Sequence, residues 1–301
     1  IGTVSSYLLG NSVYQFSITI GFFMCAMGVG SFLSRFIGDD LISRFIQVEI
    51  AISVIGGICS LTLFLVFPLV NALYNAVMYS LILIIGTLVG LEIPILTRIL
   101  SQREGTRRSI ANVMSLDYLG ALIGSVSFPL LLLPQLGLIR SSFAIGLINI
   151  LTAIVNVVYF RPHLKRYPLY LGSCVMVLVA LIAFTVAGTR LSSFAEHHLY
   201  FVQVIYEEQS PYQHIVVTKS RNGHDHRLFI DGHIQFSEKD EYRYHEALVH
   251  PLMAAPGKRE NILVLGGGDG LAIRELLKYS EVRHIDLVDI DPAITRLSHS
   301  F

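Results

Sequence analysis

Residues 261–291, NILVLGGGDGLAIRELLKYSEVRHIDLVDID, concentrate the groups best placed to do chemistry. Gly266, Gly267, Gly268 and Gly270 surround one carboxylate, Asp269, and two more acids, Asp289 and Asp291, follow about twenty residues on. Glycines at this density let the chain turn tightly and bring backbone N–H groups close to a ligand, beside the positive end of a helix. An acid just after the next strand can accept hydrogen bonds from a pair of ribose hydroxyls. The combination predicts a nucleoside site. The competing reading is a structural turn with no ligand.

Two further groups stand out. Asp240, Glu241, Tyr244 and His245 mark one polar, aromatic side of a short helix, although a single His or Tyr on a helix is more often structural. Glu92 and Asp117 lie inside long apolar stretches. A charge in a membrane span costs about 2.5–3.5 kcal/mol, so each acid should face a bundle interior and have a partner. Asp117 shares a helix face with Gly120 and Gly124, which places it at an expected helix contact. The two acids read either as a cation site or relay, or as surface-level groups paired with Arg98 or a helix terminus. Cys25, Cys59 and Cys174 all lie in apolar runs without metal or redox spacing and are expected to be buried small hydrophobes.

The elements that must position these residues are legible in the pattern. Ile262–Leu265 is a short apolar run expected to form a buried strand, followed by the glycine turn, a helix through Leu271, Ile273, Leu276 and Leu277, and a second strand ending at Val288. Upstream, residues 211–218 alternate as a strand, Arg221-Asn222-Gly223 is a turn, residues 226–230 and 233–236 are strands, and Asp231-Gly232 turns between them. Ser237 is expected to cap the next helix and Pro251 to stop it. Residues 191–209 read as a mixed stretch leaving the apolar half.

The first part of the chain has a different character. Of 301 residues, 53% are hydrophobic and only 15% charged, with mean hydropathy +0.60, too apolar for an ordinary water-soluble domain. The excess lies before residue 189. After a stub at 1–9, six apolar stretches, 12–33, 47–67, 74–96, 112–133, 138–160 and 168–188, approach the roughly 20 residues that a bilayer requires. Basic residues fall in alternate loops, at Arg35 and Arg44, Arg98 to Arg108, and Arg161 to Arg166. Gly86 and Gly90, like Gly120 and Gly124, have the spacing of close helix packing. The fold class is therefore a polytopic α-helical membrane bundle (1–189), a small antiparallel β-unit (190–256), and the start of a Rossmann-like α/β nucleotide-binding domain (257–301). Net charge is zero and the pI about 7.3, so no nucleic-acid partner is expected. The chain begins at Ile1 and stops at Phe301, and reads as an internal fragment.

YQHI at 212–215, LFIDGHIQFSEKDEYRYHEALVH at 228–250, VLGGGDGLAIRE at 264–275 and LVDID at 287–291 resemble the aminopropyltransferases, spermidine synthase in particular. The apolar first half resembles the membrane-embedded bacterial variety. The resemblance implies transfer of an aminopropyl group from decarboxylated S-adenosylmethionine to putrescine, giving spermidine and methylthioadenosine, with no metal or further cofactor. It implies that Gln213 contacts the nucleoside, that His245, with Tyr244 beside it, lines the polyamine pocket, that Asp269 holds the aminopropyl amine, and that Asp289, where the family often has Glu, holds the ribose hydroxyls. The family's later acidic segment, which carries the proton acceptor, is expected beyond Phe301, so no catalytic residue is assigned within this chain. Expected partners are the two small molecules and a lipid bilayer, and a homo-oligomer is compatible with the family. The expected location is the inner cell membrane. Loop charge by itself places the soluble part outside, whereas donor supply favours the cytoplasm; the expectation is cytoplasmic, with 168–188 not fully spanning. Rival readings are an S-adenosylmethionine-dependent methyltransferase, which gives no reason for the DG-x-x-Q and YHE segments, and a polyamine transporter or sensor.

Overall fold

The computed structural model describes the chain apart from Asp39, Phe201, Arg221 and Phe301, and apart from the side chains of Asn71, Arg103, Glu104 and residues 189–200. It forms two compact units, Ile1–Leu199 and Tyr200–Phe301.

The first unit is helical: α1 (Gly2–Leu9), α2 (Ser12–Leu33), α3 (Leu41–Leu69), α4 (Asn71–Glu104), α5 (Thr106–Ser127), α6 (Leu133–Tyr159) and α7 (Tyr167–Tyr200). The Asn11 side chain starts α2 by accepting the N–H of Tyr14 at 3.2 Å. Among the described residues, five helical runs are long and apolar enough to cross a membrane by length and composition. The count differs from the expected six because 112–133 and 138–160 fall in one run, Thr106–Tyr159. Within that run Phe128–Leu132 widens into a π-turn around Pro129, which has no N–H to give. Gly137, at φ +69°, leaves the helical conformation altogether. One continuous run of residues thus holds two helical segments with a break between them.

Packing separates the two glycine pairs. α4 lies on α2, and a Cβ at Gly86 would fall 2.7 Å from Ala26 Cβ and 2.9 Å from the Phe23 carbonyl. Gly57 on α3 and Gly146 on α6 meet in the same way; a Cβ at Gly146 would lie 2.9 Å from Gly57 Cα. A Cβ added at Gly120 or Gly124 would meet nothing within 4 Å, and Asp117 is exposed. The expectation that this face of α5 forms a helix contact is therefore wrong: the spacing is necessary for close approach, but a partner helix must also be there. Cys25 is likewise exposed, while Cys59 and Cys174 are buried as expected. The core of the unit is built from Ile46, Leu63, Phe64, Met78, Phe143 and Ile150.

Glu92 does not pair with Arg98. The Arg98 guanidinium donates instead to the carbonyls of Ser34 (3.2 Å), Ile37 (2.7 Å) and Gly38 (3.4 Å). Glu92 faces the carboxyl of Glu49 on α3, a residue only 2% exposed.

The second unit opens with an antiparallel meander, β1 (Gln203–Gln209), β2 (His214–Lys219), β3 (His226–Ile230) and β4 (His233–Ser237), in that spatial order. β1 lies within 191–209, read from sequence only as a mixed stretch with no strand assigned: Gln203 to Gln209 pair along β2, from Lys219 back to His214. The part of that stretch at 191–201 lies outside the described side chains, as Arg221 of the expected turn lies outside the described residues. Asp231 (φ +49°) and Gly232 (φ +80°) make the expected two-residue turn between Ile230 and His233, with both centres left-handed as a type I′ hairpin requires.

Then follow α8 (Glu241–Ala254), β5 (Asn261–Leu265), α9 (Leu271–Leu276), β6 (His284–Val288) and α10 (Pro292–Ser298). Ser237 does not cap α8. It ends β4, and its hydroxyl donates to buried Asp225 at 2.6 Å. Pro251 does not stop α8, which runs on to Ala254; within one turn of the end the missing N–H removes only one bond. β5 and β6 pair in parallel, with Leu265 opposite Val288. β5 is not buried on both faces: Leu263 is 60% and Leu265 76% exposed. α10 packs Ile294 and Leu297 against Ile215 and Leu228 of the meander, and α8 packs Val249 and Met253 against Ala272 and Leu276 of α9.

Candidate functional site

The glycine turn is shaped by left-handed backbone at Gly266 (φ +79°), Gly267 (φ +72°) and Gly270 (φ +78°), conformations that a side chain strongly disfavours. It is tied to the next strand by the Gly266 N–H, which donates to the Val288 carbonyl at 2.8 Å. Gly268 is required for a different reason. It is buried, and a Cβ there would meet Asp289 Oδ2 at 2.8 Å.

Asp289 is thereby locked. Its Oδ2 accepts the Gly268 N–H at 2.8 Å and its Oδ1 the Asp291 N–H at 2.9 Å. A carboxylate offers about four acceptor positions, so each oxygen keeps one for a ligand hydroxyl. Asp269 is partly buried in the turn. Its Oδ1 accepts the Leu271 N–H at 2.9 Å, fixing the side chain and leaving Oδ2 without a donor among the described residues. α9 has six residues, so the turn's own N–H groups, rather than a long helix end, present the donors.

Gln213 is connected to this turn through two residues that sequence reasoning left unassigned. The Ser210 hydroxyl accepts the N–H groups of Tyr212 (3.1 Å) and Gln213 (3.0 Å) and donates to Asp291 Oδ2 at 2.6 Å. Asp291, fully buried, uses Oδ1 to accept the Ala293 N–H at 2.9 Å and so caps α10. The signal for that cap was in the sequence, since an Asp before Pro at the first helical position is a helix start. Nothing local pointed to Ser210.

His245 is 5% exposed. Its Nδ1 lies 2.8 Å from both the backbone carbonyl and Oε2 of Glu241, one helical turn earlier. Arg274 of α9 reaches the same carboxylate, 2.8 Å from Oε1 and 3.0 Å from Oε2. Burial pushes the Glu241 carboxyl up, but the hydrogen bonds from Arg274 and then His245, with their charges, outweigh it and hold the group below its ordinary range. Tyr244 is 65% exposed and meets His245 edge-on, with ring centroids 5.1 Å apart. The polar side expected on α8 is therefore split: His245 and Glu241 are held inward and Tyr244 outward.

Glu246, His250 and Glu275 bring one possible metal-ligating atom each within 4.8 Å of one another. Glu275 is already paired with Lys278, with Arg274 at 3.0 Å and with His250 Nε2 at 3.2 Å. The hydrogen bond from Lys278, opposed by burial and supported by Arg274, holds its carboxyl below the ordinary value. The group reads as an ion-pair cluster joining α8 to α9.

Residues 241–301 match the spermine/spermidine synthase domain. Across almost the whole chain there is similarity to curated bacterial proteins. Polyamine aminopropyltransferase 2 of Ralstonia nicotianae is 44% identical over 99% of this chain and 60% of its own length. The polyamine aminopropyltransferase of Leptospira interrogans is 43% identical over 98% and 59%, and that of Oceanobacillus iheyensis 40% identical over 99% and 58%. The chain thus spans about 60% of the length of these relatives. A crystal structure of spermidine synthase in complex with the transition-state analogue AdoDATO is 33% identical over 33% of this chain and 33% of its own, with a TM-score of 0.31. The expected resemblance to the aminopropyltransferases is borne out by the domain match and by relatives that align with almost the whole chain.

Proposed function

We propose that this chain belongs to a polyamine aminopropyltransferase that moves the aminopropyl group of decarboxylated S-adenosylmethionine to putrescine. The observation that carries the reading is the locked Asp289 beside the glycine turn, within the stretch that matches the spermine/spermidine synthase domain. The ribose hydroxyls bond the remaining positions of Asp289, and Gln213, anchored through Ser210, contacts the same nucleoside. The unengaged Oδ2 of Asp269 holds the ammonium of the aminopropyl group. His245, oriented by Glu241, lines the acceptor side, and exposed Tyr244 stands at its rim. The acceptor amine's lone pair attacks the carbon next to the sulfonium, the C–S bond breaks, and sulfur leaves neutral in methylthioadenosine. The amine then loses a proton, a step we assign to no residue of 1–301. Placement and charge do most of the catalysis, as is sufficient for a sulfonium leaving group.

The same reading assigns 1–189 to a bundle in the cell membrane, 190–256 to the β-rich part of the enzyme domain and 257–301 to its nucleoside-binding part. Support for the membrane comes from helical runs of spanning length and from exposed apolar side chains such as Val13, Leu116 and Val186. We place the soluble unit on the cytoplasmic side, where such a donor is made.

The experiment is an assay of the full-length protein with putrescine and either donor, products read by mass spectrometry. Spermidine should form from the decarboxylated donor only, and Asp269→Asn should narrow the difference in binding between the two donors. Equal binding of both donors by the unaltered protein favours the methyltransferase reading and overturns this one.

A further inference from the structure

The helical unit contains an arrangement that the proposed transferase does not use. Glu49 on α3 is 2% exposed, and its Oε2 has no hydrogen-bond donor. The carboxyl of Glu92 on α4 lies within hydrogen-bonding reach of it, and the charge of Asp117 on α5 bears on Glu92. From α6, the Asn149 amide donates at 2.9 Å to the Glu49 carbonyl and at 2.9 Å to the Ser53 hydroxyl. Ser53 adds a hydroxyl bond to the same carbonyl at 2.9 Å. No Lys, Arg or His among the described residues pairs with these acids. Arg98 is engaged by three carbonyls, and Arg140 lies nine residues from Asn149, about 13 Å along α6.

Two carboxylates are acceptors only, so they cannot bond one another. Held together away from water, they require a proton or a cation between them, because an uncompensated pair of buried charges would be strongly destabilising. The choice of cation follows from what surrounds the pair. A bare metal ion such as sodium is typically held in a bundle by carbonyls of unwound helix, several at once. Here α3 is continuous, and the Glu49 carbonyl is already taken by Ser53 and Asn149. What is offered is a pair of carboxyls from neighbouring helices, buried Glu49 and half-buried Glu92. A primary ammonium, with three N–H donors and no acceptor, is satisfied by such a pair.

We propose that Glu49 and Glu92 form a second amine site, inside the helical unit, which holds a shared proton when empty and a protonated primary amine when filled. The choice of an amine rests on the aminopropyltransferase reading of the chain; the cation site itself does not. The exchange balances. The empty pair carries one proton and one net negative charge; the entering ammonium brings one positive charge, and the proton leaves to solvent.

The test uses the full-length protein in lipid nanodiscs, weakly buffered with a pH-indicator dye, with putrescine as the probe and radiolabelled putrescine for binding. About one proton should be released per amine bound. Glu49→Gln and Glu92→Gln should abolish the release and weaken the binding by about tenfold or more, while Glu92→Asp keeps the release with weaker binding. Because Glu49→Gln can fail by unfolding, the half-buried Glu92 pair of variants decides, with helicity by circular dichroism as the check. Unchanged release in a folded Glu92→Gln overturns the site. Equal release by sodium chloride at the same concentration overturns the amine as its ligand. Methylthioadenosine binding is followed in parallel on the same samples. If it is absent in the unaltered chain while proton release persists, the transferase reading fails and the cation site stands.

Discussion

Gly268 supplies the sharpest test of the nucleoside site. In Gly268→Ala the new methyl would sit 2.8 Å from Asp289 Oδ2, 3.0 Å from its Cγ and 3.2 Å from Ile294 Cγ2. The Ile294 methyl can give by a few tenths of an ångström. The carboxylate cannot retreat so easily, because its other oxygen is held by the Asp291 N–H at 2.9 Å. Relief therefore comes from moving Asp289 away from the Gly268 N–H, losing a bond now 2.8 Å long, and from the position where a ribose would be met. One charge-assisted hydrogen bond is worth about 1.5–3 kcal/mol, which corresponds to roughly ten- to a hundredfold in affinity. The assay is calorimetric titration of methylthioadenosine into the full-length protein, with thermal unfolding to confirm the fold. A folded Gly268→Ala protein that binds with unaltered affinity would falsify the role given to Asp289, since no arrangement of the methyl leaves that carboxylate in place.

Acid should destabilise the second unit in a defined direction. Glu241, Glu275 and Asp225 all have carboxyls held below their ordinary values, so the stability they contribute is present above the ordinary carboxylate range and is lost as pH falls through the lowered values. Melting temperature against pH should fall below about pH 4, and Arg274→Gln should flatten that fall; an identical acid limb in the variant would contradict it. Asp291→Ala leaves the Ser210 hydroxyl and the Ala293 N–H without their acceptor, and denaturant unfolding should show a loss of about 2–4 kcal/mol, against a near-zero change if the side chain were dispensable. For sidedness, a single cysteine at Ser220 in a cysteine-free full-length protein should resist an impermeant thiol reagent in intact cells and react after lysis. Reaction without lysis places the soluble unit outside.

Local pattern carried much of this protein. The bounds of α2 follow from an Asn cap and a long apolar stretch, and the Asp231-Gly232 turn from the left-handed backbone that two-residue hairpin turns favour. The glycine turn and its acid were likewise visible, because close approach of backbone to a ligand restricts residue type at each position. What sequence could not supply was partnership across distance. Gly86 and Gly120 carry the same spacing, yet only the first meets another helix. Gln203–Gln209 has no strand pattern of its own and becomes one by pairing with a neighbour whose centre is buried. Ser210 acquires its part from Asp291, 81 residues away. Glu49 passed unnoticed in an apolar stretch, and only the packing of α3 against α4 and α6 sets it before Glu92 and Asn149. A side chain's type fixes what it can bond, but which groups come within 3 Å of it is decided by helices and strands that meet only in the folded chain.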